Sequence, residues 1–345
     1  MRMGRETKRT PAWASLRYEE LLDVRMSDLG VQIKGTALEE RIARLHDELE
    51  HRRIRLRPHC WLSEEWFAPD GVPGIALPFY LAHPRLKELE RRQMLAVEGG
   101  TRDECLRILR HEAGHTIESA YRLNRRSEWR RVFGRASKAY PTYYHIHPAS
   151  KDFVLHLGSW YAQSHPSEDF AETFAVWLKP DGDWRRRYTD WPARRKLEYV
   201  DALMRELADE PPPVRSREIV DPLHKIRKTL REHYRRKQQV YLTESPAVYD
   251  RALRRIFGGD PLRARGEPAA AFLRGHRREL RESVSRFVGA HPYVVDHLLL
   301  EMLLHARRLG LRCHRSERTT KRAAEVMLTV QTKRFLRAGR HKLAL

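Results

Sequence analysis

The stretch His111-Glu-Ala-Gly-His115 places two imidazole side chains four residues apart, with a carboxylate between them. On a helix, residues i and i+4 lie on one face, so both rings can reach the same metal ion. Glu112 then lies one step round the helix, where its carboxylate can hold a metal-bound water molecule and take its proton. The pattern is only five residues long, so the surrounding sequence must decide whether such a site exists.

The residues around this motif predict a helix. Thr101 and Glu104 form a T-x-x-E capping box, in which each side chain bonds the other residue's backbone N–H at a helix start. Apolar side chains then recur at three- and four-residue intervals from Leu106 to Ala120. Gly114 lies within the motif although glycine costs about 1 kcal/mol relative to alanine in a helix. We therefore expect a neighbouring strand, or the surroundings of a metal, to pack closely there. The alternative is an ordinary buried helix with two hydrogen-bonded histidines.

Two histidines leave a tetrahedral zinc site half filled, so further ligands must come from elsewhere. A metzincin would need Gly at position 118 and His at 121, where this chain has Glu118 and Tyr121, and that class is excluded. The best candidates lie in HPSEDFAETFAVWLKP, residues 165–180, where a proline and a serine mark a helix start. Glu168 and Glu172 share one face of this helix and would repel each other unless a cation lay opposite. The alternative is a solvated acidic first turn favoured by the helix dipole.

These two motifs together resemble those of the gluzincin metallopeptidases, in which a glutamate on a second helix completes the zinc site. They are most similar to the bacterial putative zinc-binding metallopeptidase family, whose members pair an HExGH helix with an E-D-F-A-E-x-[FW] helix. The catalytic domain of anthrax lethal factor carries a related E-F-F-A-E-A-F segment. The resemblance covers roughly residues 55–180 and implies that Glu168 is a zinc ligand, Glu172 a carboxylate that supports the ligands, and Tyr161 the residue that supports the developing oxyanion.

The chemistry of a hydrolytic zinc site is consistent with this assignment. A catalytic Zn²⁺ takes three protein ligands, here His111, His115 and Glu168, and keeps one position for a water molecule whose pKa falls to about 7. Glu112 would accept the proton of that water and pass it to the leaving amine. Tyr161 would donate a hydrogen bond to the oxyanion.

The stretch YPTYYHIHP, residues 140–148, supplies rivals to Tyr161 as the hydrogen-bond donor. Tyr143 and Tyr144 are these rivals, and the segment is too rich in proline and histidine to predict regular structure. His145 and His147 are expected to be surface loop residues rather than metal ligands.

A strand is predicted in GIALPFYLAHP, residues 74–84, which is short, apolar and bounded by prolines. Pro78 indicates an edge position, because proline cannot donate a ladder hydrogen bond. An extended substrate could pair with such an edge, although a purely structural strand is an equal alternative. The aromatic segment CWLSEEWFAPDGVPG, residues 60–74, fits a pocket wall or a core lid equally well.

Composition limits the location and partners of the protein. The chain has no segment of about eighteen apolar residues, so we expect no membrane span. Its start carries positive charge but no apolar core of a signal peptide. The three cysteines, Cys60, Cys105 and Cys313, form no C-x-x-C pair and predict neither a disulfide framework nor a cysteine zinc site. We therefore expect a cytoplasmic protein with free thiols.

The net charge of +21 would favour an acidic partner such as nucleic acid. The basic residues are, however, dispersed through amphipathic segments, which is more typical of a solvated surface. Nucleic-acid binding is therefore possible but not favoured.

The fold class expected is α+β and mainly α: a zincin-like catalytic domain with a small sheet and the HExxH helix, followed by a helical C-terminal domain. Pro211-Pro212-Pro213 marks a linker between the two. The predicted divisions are a helical N-terminal region at 1–54, a metallopeptidase domain at 55–205 and a basic helical domain at 214–345.

The sequence thus predicts a zinc-dependent metallopeptidase that cleaves a peptide or protein substrate with a zinc-bound water activated by Glu112. The alternative is a basic nucleic-acid- or ribosome-associated binding protein with a structural zinc site.

Overall fold

Helices make up most of the structure, a computed structural model of the 345-residue chain. It describes residues 11–94, 97–141, 144, 147, 149–157, 160–241, 246–258, 266–288 and 292–338. Within these residues the helices accompany one small two-stranded parallel sheet. This composition agrees with the expected α+β, mainly helical class.

Several short segments of 3-10 helix accompany the strands and α-helices along the chain. The strands are β1 (His59–Ser63) and β2 (Gly74–Pro78). The α-helices are α1 (Tyr18–Leu22), α2 (Ala37–His51), α3 (Pro84–Met94), α4 (Arg102–Ala120), α5 (Ser127–Val132), α6 (Pro166–Leu178), α7 (Trp184–Arg187), α8 (Arg194–Glu206), α9 (Leu230–Tyr241), α10 (Pro246–Ile256), α11 (Ala269–Gly275), α12 (Arg277–Val288), α13 (Pro292–Arg308) and α14 (Glu317–Ala338).

The predicted strand at 74–84 is shorter in the structure. β2 pairs in parallel with β1 and ends at Pro78, after which Phe79–Ala82 forms a 3-10 helix. Its other edge is partly covered, because the Ala76 N–H donates to the carbonyl oxygen of Phe67 at 2.8 Å. The proposal that a substrate pairs with this edge of β2 is therefore wrong at Ala76, because Phe67 already accepts the backbone hydrogen bond there.

The predicted helix around the HEAGH motif is confirmed as α4, and its capping box is formed by Thr101 and Glu104. Gly114 is the point of closest approach to α6. A Cβ built on Gly114 would lie 2.7 Å from the Cα of Ala171, which is closer than real Cβ atoms come to other atoms. The element that packs against Gly114 is therefore a second helix and not a strand, and of the two expectations it agrees with the other, because α6 also carries the candidate ligand Glu168. This contact sets α4 and α6 side by side with their motif residues adjacent.

Two main hydrophobic clusters hold the described residues together. The larger runs from Trp13 to Tyr234 and includes side chains of the predicted N-terminal region as well as α4 and α6. The second is formed mainly by the C-terminal helices, from Tyr249 to Leu328, and also takes in Trp160. The domain boundaries proposed from the sequence stay predictions.

Among the described residues, no helix combines the length and the apolar character needed to cross a membrane.

Candidate metal centre

The second motif helix, α6, begins where its sequence predicts. Pro166 occupies the first turn, and the side chain of His165 caps the helix by accepting a hydrogen bond from the Ser167 N–H at 3.2 Å. From Glu168 to Leu178 every residue of α6 is buried. A helix buried on all sides with two carboxylates on one face needs polar partners for them. The two histidines of α4 are among these partners.

His111, His115 and Glu168 meet at one point between the two helices. Glu168 Oε2 lies 3.1 Å from His111 Nε2 and 3.1 Å from His115 Nε2. One ligand atom from each of the three residues lies within 4.8 Å of the other two. Two imidazole nitrogens and one carboxylate oxygen converging in this way form a donor set that suits a catalytic Zn²⁺. The residues present therefore fit the metal that the sequence predicts.

Glu172 lies behind His111 and holds it in place. Its Oε1 atom is 2.9 Å from His111 Nδ1, and its Oε2 atom accepts the backbone N–H of Leu157 at 2.9 Å. Because Nδ1 is held by Glu172, the Nε2 atom of His111 is the ring nitrogen that faces Glu168 and His115. Glu172 thus orients one imidazole without joining the three-residue cluster itself.

The buried charges of the cluster shift one another's pKa values in opposite directions. Burial would lower the pKa of His111, but its hydrogen bonds to Glu168 and Glu172 raise it to about 10. Burial also opposes ionisation of Glu168, yet His115 and His111 hold the pKa of this carboxyl well below its usual range. Burial raises the pKa of Glu112, although the two histidines act against this. Glu168 therefore stays ionised more readily, whereas Glu112 takes up a proton more readily.

Tyr161 lies beside the cluster, in the 3-10 helix Tyr161–Gln163. Its ring centroid is 5.6 Å from that of His111, and burial raises the pKa of its hydroxyl far above the usual range. A phenol that stays protonated can donate a hydrogen bond to a developing oxyanion. Of its rivals, Tyr144 is buried within the second hydrophobic cluster, and Tyr143 lies outside the described residues. His145 is also outside them, whereas His147 is exposed.

Tyr140 is a site residue that the sequence reasoning missed. Its hydroxyl donates to Glu168 Oε1 at 2.9 Å, and its ring stacks on His165 at a centroid distance of 3.9 Å. The only sequence signal was its position at the head of the tyrosine-rich stretch, three residues before the rival at Tyr143. Tyr140 fixes the oxygen of Glu168 that does not face the histidines.

A cavity of about 420 Å³ opens over the cluster. Its walls come from α4, the start of α6, the segment that follows β1, and the tyrosines. They are formed by Trp66, Phe67, Ala68, Asp70, His111, Glu112, His115, Glu118, Ser119, Asn124, Ala136, Tyr140, Tyr161, His165, Ser167 and Glu168. The aromatic segment after β1 is therefore a wall of this cavity.

Comparison with known proteins gives one match. Residues 88–182 match the model of a family described as "Putative zinc-binding metallo-peptidase". The matched part is less than a third of the chain and contains both motif helices. No curated protein and no solved structure matches the chain.

Proposed function

We propose that this protein is a zinc-dependent metallopeptidase of the gluzincin type. The observation that carries the proposal is the convergence of His111, His115 and Glu168 beside Glu112 at the base of one cavity. The family match over residues 88–182 supports the same class of reaction. His111, His115 and Glu168 would hold the metal.

Bound there, Zn²⁺ would acidify water and polarise the substrate's carbonyl group. Glu112 lines the same cavity, and its raised pKa suits a group that must first accept and later release a proton. Its role is to take a proton from the attacking water and deliver it to the amine that leaves. Tyr161 faces the cavity as a protonated phenol and would donate to the oxyanion of the tetrahedral intermediate.

Two residues keep these groups in position. Glu172 accepts from Nδ1 of His111, which directs Nε2 to the ligand position. Tyr140 donates to one oxygen of Glu168, which leaves the other oxygen toward the histidines. A carboxylate with one oxygen already bonded has less freedom to rotate away from a metal ion.

The alternative function is a binding protein with a structural zinc site. Such a site does not require a buried glutamate like Glu112 beside the metal ligands. A structural zinc site is closed by four protein ligands, whereas only three residues converge here among those described. The large cavity over the cluster also favours a site that admits a substrate.

The test combines metal analysis with one isosteric variant. We expect about one zinc ion per chain in the purified protein, and hydrolysis of a mixed peptide pool by it. Glu112→Gln should retain the zinc and lower kcat by a factor of about 100 or more, because it removes the base and not a ligand. Glu50→Gln, an exposed change on α2, is the control and should leave both properties unchanged. Protein that binds no zinc, or full activity in Glu112→Gln, would contradict the proposal.

A further inference from the structure

Glu118 lies on α4 three residues after His115 and contributes to the same cavity wall. Its side chain is buried, with the residue only 4% exposed. Oε1 accepts hydrogen bonds from Asn124 Nδ2 and Ser167 Oγ, each at 3.1 Å. Oε2 is equally buried but has no hydrogen-bond partner among the described residues. A buried carboxylate oxygen without a hydrogen-bond donor is costly, and a bound ligand is one source of such a donor.

Asp70 brings a second carboxylate to the same end of the cavity. It lies in the turn that follows the Phe67 segment, and this turn is tied to α4 because the Gly71 N–H donates to Ser119 Oγ at 2.7 Å. Burial raises the pKa of Glu118, His115 and the two hydrogen bonds act against this, and the charge of Asp70 adds a smaller increase. Glu118 is thus the buried member of the pair and Asp70 the exposed one.

The cavity is negative in a chain that is strongly positive. Its described walls contain four carboxylates, Asp70, Glu112, Glu118 and Glu168, and neither a lysine nor an arginine, although the whole chain carries a net charge of +21. A divalent cation held by Glu168 and the histidines would still leave an excess of negative charge. Such a cavity attracts cationic groups and repels anionic ones.

We propose that Glu118, with Asp70 at the exposed end, is the specificity subsite for a cationic group of the peptide substrate. An ammonium or guanidinium group would give Oε2 of Glu118 the donor that it lacks. The group comes either from a lysine or arginine side chain or from the free amino end of the peptide. This inference rests on the proposed peptidase function, because it assigns what the same cavity selects.

The experiment uses the full zinc-loaded chain and matched peptides. One library of hexapeptides is made in four versions, with lysine or its uncharged isostere norleucine at one position, and with a free or an acetylated amino end. kcat/KM is measured for the wild type, Glu118→Gln and Asp70→Asn, with Glu50→Gln as the charge-matched control. Glu118→Gln can keep the hydrogen bonds from Asn124 and Ser167, and its melting temperature checks that it folds.

We expect the wild type to prefer one cationic version over its neutral partner by about tenfold or more. Glu118→Gln should reduce that ratio to near one with little change for the neutral peptide, and Asp70→Asn should reduce it less, because its charge is solvated. Loss confined to the lysine–norleucine pair identifies a side-chain subsite, and loss confined to acetylation identifies recognition of the amino end. An equal decrease for charged and neutral peptides would mean that Glu118 only supports the fold, and would overturn the proposal.

Equilibrium dialysis of the same peptides against the Glu112→Gln chain separates this inference from the proposed function. If the wild type cleaves nothing, yet cationic peptides bind and a further Glu118→Gln change abolishes their preference, the peptidase proposal fails and the subsite stands. If the wild type cleaves peptides without regard to charge, the subsite fails and the peptidase stands. Absence of both binding and cleavage overturns both.

Discussion

Glu168 and Glu172 lie one turn apart on α6 but contact the HEAGH helix in different ways. Glu168 approaches the Nε2 atoms of both histidines, whereas Glu172 bonds the Nδ1 atom of His111 and a backbone N–H. The spacing of the two residues predicts that both face α4, but it cannot say which one meets Nε2. That distinction depends on how far α6 is shifted along α4, which is a property of packing and not of sequence period.

This difference leads to a prediction for zinc affinity. Glu172→Gln should weaken zinc binding by about 10–100-fold, because it loosens the orientation of His111 without removing a ligand. Glu168→Gln should weaken it considerably more, because a neutral amide replaces the proposed third ligand. Competition for Zn²⁺ against a chromogenic chelator at fixed pH measures both. The reverse order of the two variants would show that Glu172, one turn further along, is the third ligand.

Tyr140 and Glu118 show why part of the site escapes prediction at the residue scale. Neither belongs to the HExxH motif or to the second motif, and nothing in their spacing indicates chemistry. Tyr140 reaches Glu168 because its loop brings its ring onto His165, and Glu118 accepts a hydrogen bond from Ser167, 49 residues later in the chain. Such contacts depend on loop paths, for which the sequence has no periodic signal.

At the scale of elements, α4 and α6 are well predicted because their ends carry strong local signals. The capping box at Thr101 and the proline at 166 each begin a helix, and the buried faces follow the apolar spacing. The shortening of β2 and its pairing with Phe67 were not predicted. An apolar run of this length carries no signal for its partner, so the pairing depends on tertiary contacts.

Gly114 is where element packing and the site meet, and it gives the second prediction. Gly114→Ala removes a glycine from a helix, which would by itself stabilise the chain by about 1 kcal/mol. The added Cβ would, however, lie 2.7 Å from the Cα of Ala171, a backbone atom that can move only with α6. We expect a net loss of about 1–3 kcal/mol in the free energy of unfolding.

The displacement of α6 should also weaken zinc binding, because Glu168 moves with it. Urea unfolding and the chelator competition measure the two effects in one sample. Gly275→Ala, at the end of α11 where the added Cβ meets nothing within 4 Å, is the matched control: it should raise the free energy of unfolding by at most about 1 kcal/mol and leave zinc affinity unchanged. A Gly114→Ala chain as stable as the wild type with unchanged zinc affinity would show that the two helices can separate without cost.

At the scale of the whole molecule, the segment after the proline run returns to the sheet. The Trp61 Nε1–H and the Ser63 hydroxyl of β1 donate to the carbonyl oxygens of Val220 and Asp221. Just beyond β1, Glu64 pairs with Lys228 and lies 3.6 Å from His233 Nδ1. The chain beyond residue 213 thus contributes to the surroundings of the wall segment as well as to the C-terminal helices. Pro211-Pro212-Pro213 marks a turn in the chain, but the sequence did not indicate this return contact.

The Glu64 cluster makes the stability of this return contact depend on pH. Burial would raise the pKa of Glu64, but the nearby His233 and the ion pair with Lys228 lower it to about 2, from an ordinary value of 4.5. A carboxyl whose pKa is lower in the folded chain stabilises the fold above pH 4.5, and this contribution is lost as the pH falls from 4.5 towards 2. Glu64→Gln should therefore reduce the free energy of unfolding by about 1–2 kcal/mol at pH 7, since Glu64 is partly exposed and screened.

The difference from the wild type should narrow below pH 4.5 and be nearly absent near pH 2. Urea unfolding across this range measures it, with the exposed Glu50→Gln as the control that should stay close to the wild type throughout. A constant difference at every pH would mean that Glu64 acts through packing alone.

Trp66 and Phe67, which follow Glu64 by two and three residues, form part of the cavity wall. If the return contact weakens in acid, these two residues should also become less firmly held. Lowering the pH should then reduce peptide affinity less in Glu64→Gln than in the wild type, because the variant lacks this charge at every pH.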